Sequence, residues 1–421
     1  MKKKTNIKKS KPNLDLSAKR FDESFITFIQ KNLNLIFFIT ATLLAFFSRN
    51  SFRGYLSGDM ALFYEPWTAH LQANGGFLGI PSLHSDYTVI YQYILAFISY
   101  LPGSTIAKIK LVTWVFDFFA AFVVAITVAK LTNRKFLSRL PILAYTITLF
   151  VPAVFMNSAL WGQCDIIYTS FVLLSFYFVL DDRYGLAFVY YGLALSFKLQ
   201  AIFFLPLLVI LYLKTRKFSL LNFLYTPVVY FITYIPALFL GKHITQIFEA
   251  YGMQIASHQN MVLGFPNLYA LLPDNYDLFS TAGYLLTAIT LGGLAFLVVK
   301  QKQLTMSPDK KVELALIISI MTVFFLPKMH ERYMFMADLF AILYLFVKPK
   351  PFYIPIILWG INAMVYPPYF FGTPPWFDHK IVACILLGVL LSLIYDFFKT
   401  PSKHDQFNHI EMMPPPQEQI A

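Results

Sequence analysis

The chain has 421 residues, 57% of them hydrophobic and 13% charged, with a mean hydropathy of +0.59. Soluble domains carry about 25% charged residues, so this composition excludes a soluble globular enzyme and indicates a helical integral membrane protein. The net charge of +12 does not indicate a nucleic-acid partner, because most of it falls in loops where basic residues set membrane orientation.

Residues 1–32 form a basic leader carrying Lys2, Lys3, Lys4, Lys8, Lys9 and Lys11. Phe21, Phe25, Phe28 and Ile29 fall at helical spacing and predict an interfacial helix running into the first span. No small-residue cleavage site follows, so the first apolar stretch reads as an anchor. The membrane region is residues 33–398. Its candidate spans lie at about 33–48, 105–129, 140–157, 166–180, 184–197, 199–213, 219–240, 279–299, 312–326, 333–347, 352–366 and 380–398. The tail at 399–421, with Pro414-Pro415-Pro416, reads as disordered and cytoplasmic. Cys164 and Cys384 form neither a disulfide framework nor a metal spacing, so no metal and no cofactor is expected.

Tyr87–Leu101 is apolar but short for a span. Treating it as re-entrant or interfacial gathers Lys130–Arg139, Arg183, Lys214–Lys217, Lys300–Lys311 and Lys348–Lys350 on one side. By the positive-inside rule that side is the cytoplasm. The fold class is then an all-α polytopic membrane bundle of about twelve transmembrane helices, with both termini cytoplasmic. Tyr184–Lys214 holds two passes too short for a straight crossing and predicts a broken helix pair. The basic loops show no carboxylate pairing in the sequence, and Asp117 is assigned to Lys110.

Most other polar groups fall on the outer face, around a long first loop from Arg49 to about Ser104. Asp59, in Ser57-Gly58-Asp59, reads as a general base or as a helix N-cap, roles that do not exclude each other. Asp86, in His84-Ser85-Asp86-Tyr87, reads equally as a cap or a substrate contact, and either aspartate could be the base. Together the two are weak support for a divalent ion. In Trp161-Gly162-Gln163-Cys164-Asp165, Gln163 and Asp165 can bond hydroxyls, while Trp161 offers a flat face to a sugar ring or prenyl chain. A tight loop with Asp165 as cap is the alternative. Lys198, in Phe197-Lys198-Leu199-Gln200, lies deep in an apolar run, where a charge needs a partner such as a phosphate. Gln200 and Asn267 are further candidate substrate contacts.

The densest signal is Pro327-Lys328-Met329-His330-Glu331-Arg332-Tyr333, between two apolar runs. Charges at a membrane edge cost several kcal/mol unless partnered, about 2.5–3.5 each at mid-bilayer on the insertion scale. Arg332 can hold phosphate oxygens in a fork and His330 can add a donor, with Glu331 orienting Arg332 or pairing with Lys328. A snorkelled loop of self-neutralising charges is the bland alternative.

The sequence has no Gly-rich phosphate loop, Walker motif or dinucleotide fingerprint, which argues against a nucleotide donor. A carboxylate opposite cations fits glycosyl transfer from a lipid-linked phosphate sugar. Ser57-Gly58-Asp59 with Trp67, Ser85-Asp86-Tyr87, Trp161-Gly162-Gln163-Cys164-Asp165, Phe197-Lys198-Leu199-Gln200 and Lys328-Met329-His330-Glu331-Arg332-Tyr333 together resemble the C-type (GT-C) glycosyltransferases. Within them the chain is similar to bacterial relatives of the GPI second mannosyltransferase, over about residues 33–398. The resemblance implies a GT-C fold, Asp59 as the first-loop acidic base, and a polyprenyl-phosphate monosaccharide donor, with a mannose-type hexose favoured. The donor phosphate would meet His330, Arg332 and Lys198. Asp86, Trp161, Gln163, Asp165, Gln200, Asn267 and Glu331 would contact substrate. The acceptor would be a cell-envelope glycolipid or polysaccharide, on the extracytoplasmic face of the cell membrane. The chain departs from some relatives in its single Asp59, where they carry paired aspartates, and in Thr88, where asparagine is expected. A lipid-linked sugar transporter and a non-catalytic assembly protein are the rival classes. A transporter would show internal repeats and midplane polar groups. The sequence has no repeat, and Lys198 is its main embedded polar group.

Overall fold

The computed structural model describes residues 16–399. The lysine-rich start of the leader and the proline-rich tail lie outside the described residues. The chain runs through α1 (Leu16–Asn50), α2 (Glu65–Ala73), α3 (Val89–Ser99), α4 (Thr105–Leu131), α5 (Arg139–Phe150), α6 (Pro152–Phe155), α7 (Asp165–Leu180) and α8 (Tyr184–Phe197). It continues through α9 (Leu205–Thr215), α10 (Tyr225–Phe239), α11 (Glu249–Ala256), α12 (Tyr276–Lys300), α13 (Pro308–Phe325), α14 (Phe335–Val347), α15 (Tyr353–Phe371) and α16 (His379–Lys399). The protein is an all-α polytopic membrane protein.

Among the described residues, six helical segments are long and apolar enough to cross a bilayer, or seven if the bent pair Arg139–Phe150 and Pro152–Trp161 counts as one. Every stretch expected to span contains a helix, but α7, α8, α9 and α14 are too short to qualify and α13 opens with Asp309, Lys310, Lys311 and Glu313. α13 and α14 are buried over nearly their whole length, the charged opening of α13 included, so protein, not lipid, surrounds them. The outer helices carry the lipid-facing side chains, such as Leu285, Ile289 and Phe296 on α12. The interfacial helix is not a separate element. Phe21, Phe25 and Phe28 are exposed on the first turns of one continuous α1.

The expected broken pair is present. α8 ends at Phe197, Lys198 is extended (φ −153°, ψ 139°), and a 3-10 turn at Leu199–Phe204 leads into α9, with Pro206 in its first turn. α3 covers the short apolar stretch after Tyr87 and packs against α2 and α10.

At one end of the bundle the basic loop residues are tied together. Lys130 meets Asp181 at 2.5 Å, Lys217 and Lys311 meet Asp182 at 3.0 and 3.4 Å, and Lys310 and Lys348 share the buried Glu313. These pairings correct the expectation of unpaired basic loops, because each carboxylate belongs to a different loop from its lysine or, like Glu313, lies just inside a helix.

Asp117 also finds a different partner from the one expected. Lys110 donates to the Phe52 and Tyr55 carbonyls, while fully buried Arg49 donates from Nε to Asp117 Oδ2 at 2.6 Å. Arg49 also donates to the Ala45 and Leu149 carbonyls, which pins α1 to α4 and α5. Removing one member of a buried pair typically costs about 3–5 kcal/mol, because the other charge is left unpartnered. Arg49→Ala is therefore expected to lower the melting temperature in detergent by many degrees, and Arg49→Met combined with Asp117→Leu to regain most of it. Equal melting of wild type and Arg49→Ala would contradict this role.

Candidate active site

At the opposite end of the bundle the other loops enclose a cavity of about 740 Å³. Its wall carries Asp59, Tyr64, Asp86, Tyr87, Gln163, Lys198, Gln200 and Gln254, closed by His330, Glu331, Arg332, Tyr333 and Tyr369.

Asp59 occupies the N-cap position of a single π-turn, Met60–Tyr64, but its side chain makes no capping bond. Its carboxylate is held from outside. Oδ2 accepts from Trp161 Nε1 at 3.0 Å and from Gln163 Nε2, and Oδ1 accepts from the Tyr369 hydroxyl at 2.7 Å. The Asp59 N–H donates back to the Tyr369 hydroxyl at 3.0 Å. Gln163 can donate to Asp59 because the Tyr64 and Tyr87 hydroxyls both donate to its Oε1 at 2.9 Å, which fixes the amide's orientation. The turn that carries Gln163 depends on Gly162. Its φ of +71° is left-handed, and a Cβ there would lie 2.1 Å from Met60 Cε.

Arg332 lies beside Asp59 in the same wall. Its Nη1 meets Glu331 Oε1 at 3.1 Å and lies 3.9 Å from Asp59 Oδ2, and its Nε lies 3.7 Å from Asp165 Oδ2. Three carboxylates and the Trp161 ring, 5.1 Å away, hold the guanidinium without saturating it, since Nε is buried with no hydrogen-bond partner. Burial works against its charge, but Asp59, Glu331 and Asp165 outweigh that and keep it protonated. Burial likewise works to raise Glu331, yet His330, 3.7 Å away, and the Arg332 charge hold it below the usual carboxylate range. His330 is pushed below the usual imidazole value, chiefly by burial, with Glu331 opposing. At neutral pH it therefore offers an N–H donor, not a charge.

A two-residue parallel pairing of Val262–Leu263 with Met329–His330 anchors this loop, a minimal strand in an otherwise helical protein. Lys328 does not pair with Glu331. It donates to the Ile255 and Ser257 carbonyls.

Lys198, at the break between α8 and the following turn, donates to Asp165 Oδ1 at 2.6 Å. Asp165 Oδ2 accepts from Asn157 at 2.9 Å, so this carboxylate neither caps α7 nor lines the cavity. It bridges Lys198 and Arg332 from behind. Trp161 is also placed differently from the expectation. Its ring is fully buried, stacked on Tyr369 at 4.1 Å, and leaves no face open to a sugar or a prenyl chain. Asp86 does not cap α3, whose N-cap is Thr88. Asn267 is buried away from the cavity. It donates to the Met261 and Leu326 carbonyls and accepts from the Tyr269 N–H, which ties the preceding loop to the end of α13. Glu331 and Gln200 line the cavity. Among the described residues, no three His, Cys, Asp or Glu side chains are grouped to hold a metal ion.

Asn157, Gln254 and Tyr369 escaped the sequence reading. Tyr369 lies in an apolar, aromatic run, and only Pro367-Pro368 marks the place. Tyr369→Phe keeps the stack on Trp161 and removes the bond to Oδ1. The hydroxyl's bond to a charged group contributes about 1.5–3 kcal/mol, so kcat is expected to fall about tenfold or more with donor KM unchanged, and the melting temperature to fall by no more than a few degrees. An unaltered kcat would show that the hydroxyl does not position Asp59.

The sequence profile of glycosyltransferase family 87 matches residues 87–349, which takes in Gln163, Asp165, Lys198, Gln200, Asn267 and the His330–Arg332 loop but not Asp59, Asp86 or Tyr369. No curated protein matches the chain closely enough to count as a relative. With well over half of its length under that one profile, and with the helical architecture described above, the chain belongs to glycosyltransferase family 87 and is a membrane glycosyltransferase.

Proposed function

We propose that the protein transfers a hexose, mannose-type by its resemblances, from a polyprenyl-phosphate sugar to a cell-envelope glycolipid or polysaccharide. Residues 33–398 form the catalytic unit, between the leader at 1–32 and a cytoplasmic tail at 399–421, with the shorter buried helices completing about twelve passes. The reaction takes place on the extracytoplasmic face, and both termini are cytoplasmic. The basic loops gathered at the end of the bundle away from the cavity support that orientation.

The observation that carries this reading is the meeting of Asp59 and Arg332 in one cavity wall, with a carboxylate oxygen and a guanidinium edge close together. The acceptor hydroxyl gives its proton to Asp59 Oδ1 as its oxygen bonds to the anomeric carbon. The bond from that carbon to the phosphate oxygen breaks, and the electron pair leaves with polyprenyl phosphate. The phosphate gains one negative charge in this step. Arg332, whose side chain lines the cavity, stabilises that charge more in the transition state than in the ground state. His330 contributes a neutral donor, and Lys198 adds positive charge shared with Asp165.

An apolar cleft of about 200 Å³ adjoins the cavity at Gly264, Glu331 and Tyr369. It is lined by Met364, Val365 and Pro368 of α15, by Phe377 in the loop that follows and by Val382 in the first turn of α16. A hydrocarbon wall beginning beside Arg332 supports a donor whose phosphate carries a lipid tail.

The test is transfer of radiolabelled sugar to lipid acceptors in membranes containing the protein, from polyprenyl-phosphate mannose or glucose and from the matching nucleotide sugars. Label transferred only from the lipid-linked donors is expected. Transfer from a nucleotide sugar alone, or accumulation of donor in vesicles without a new glycosidic bond, would overturn the proposal.

A further inference from the structure

One fully buried carboxyl group takes no part in the site. Asp338 lies on α14, six residues past Arg332, and is 0% exposed. Its Oδ2 accepts from Asn362 Nδ2, and its backbone carbonyl accepts from Trp359 Nε1 at 3.2 Å, so α15 supplies both partners. Neither is a cation, and no lysine, arginine or histidine pairs with Asp338 among the described residues. Three oxygens of this cluster are buried without a hydrogen-bond partner: Asp338 Oδ1, Asn362 Oδ1 and Tyr366 Oη. Asn362 and Tyr366, four residues apart, share one face of α15.

A carboxylate buried without a cation is far costlier than the neutral acid, and the orphaned acceptors add to that cost. None of the three residues lines the cavity, so what completes them is a proton and not a ligand. A single proton removes both difficulties. It turns Asp338 Oδ1 from an acceptor into a donor, while Asn362 Oδ1 is an acceptor in need of one. With Asn362 Nδ2 already donating to Oδ2, acid and amide then each give one hydrogen bond and take one.

We propose that Asp338 is a neutral carboxylic acid doubly hydrogen-bonded to Asn362, and that this pair is a clamp between α14 and α15 that positions the reacting groups. α14 begins three residues after Arg332, so Asp338 fixes the helix that the Arg332 loop enters. α15 carries Tyr366, whose ring meets Trp161 edge-on at 5.5 Å, and Tyr369, which bonds Asp59 Oδ1. Trp161 Nε1 in turn donates to Asp59 Oδ2. The clamp therefore sets how the segment bearing Arg332 sits against the helix that holds the base. Asp338 and Asn362 touch no substrate and are positioning residues. Their effect on turnover rests on the reading of the site as that of a glycosyltransferase using Asp59 and Arg332.

The proton is read on the full-length protein in nanodiscs, from the infrared difference between wild type and Asp338→Asn at neutral and mildly alkaline pH. The carbonyl stretch of a protonated carboxylic acid, shifted in heavy water and absent from the variant, is expected at both. A carboxylate stretch in its place, balanced by water or by a bound cation, would overturn the proposal without any assay of transfer. The clamp is read by melting temperature and turnover. Asp338→Asn forms an amide pair of the same shape, so its melting temperature is expected to match wild type and its kcat to stay within about twofold. Asp338→Leu combined with Asn362→Leu removes acid and amide together. It is expected to melt within a few degrees of wild type while kcat falls about tenfold and donor KM changes by no more than about twofold. Wild-type kcat in that folded double variant would reduce the pair to a packing contact and overturn the positioning role. A kcat for Asp338→Asn as low as that of the double variant would overturn the neutral pair. A wild type without transfer activity would refute the proposed function and leave the infrared result standing.

Discussion

Asp59→Asn is expected to lower kcat at least about 100-fold while the protein melts at the wild-type temperature, the loss typical of a missing general base. The expectation rests on how well an amide fits. The side chain keeps its size, and its oxygen can take the place of Oδ2, accepting from Trp161 Nε1 and Gln163 Nε2. Its NH2 group then stands at the Oδ1 position and can donate to the Tyr369 hydroxyl. The hydrogen-bonding partners are kept, although Arg332 loses one of its three carboxylates, so unchanged melting is what assigns the lost activity to the missing base. What the amide cannot do is accept the acceptor's proton. A variant with wild-type kcat would remove Asp59 from the reaction.

Arg332→Lys is expected to lose about 100-fold or more in kcat/KM, close to the effect of Arg332→Ala and in line with about 3–4 kcal/mol for one preorganised donor at developing charge. The guanidinium meets Glu331 and Asp59 through Nη1 and faces Asp165 through Nε. An ammonium is a single point and cannot meet these groups at once, so the substitution changes geometry as well as charge spread. Steady-state kinetics on the purified protein should place the greater part of the loss in kcat. A lysine variant within a few-fold of wild type would mean that bulk positive charge is sufficient there.

Much of this site was legible because embedded charge is costly. Lys198 announced a missing partner by its surroundings, and His330-Glu331-Arg332 did so by its density. The identity of the partners was not legible. Lys198 meets Asp165, 33 residues earlier, and Gln163 meets Asp59, 104 residues earlier, distances at which a single sequence holds no pairing information. Arg49 and Asp117 were missed as a pair for the same reason, since Lys110 was the nearer cation.

Trp161 was read by its ring when its Nε1 is what reaches Asp59, and burial decided that. Asn267 and Asp165 are polar groups at the right end of the bundle, but their hydrogen bonds are satisfied by protein. Tyr369 and Gln254 carry no charge and lie in no motif, so only the fold reveals them. Hydropathy located all of the six or seven helical segments that are long and apolar enough to cross a membrane among the described residues. It could not tell α13 and α14, wrapped in other helices, from α12, which faces lipid, because both environments favour the same side chains.

The central claim is a single displacement in which Asp59 deprotonates the acceptor and never bonds to the sugar. The stereochemistry of the product tests it most directly. With a polyprenyl-phosphate hexose of known anomeric configuration and the purified protein in liposomes, the linkage formed is read by NMR of the isolated product. Inversion at the anomeric carbon is the result this account predicts. Retention would require a second displacement or an internal return, and would contradict it.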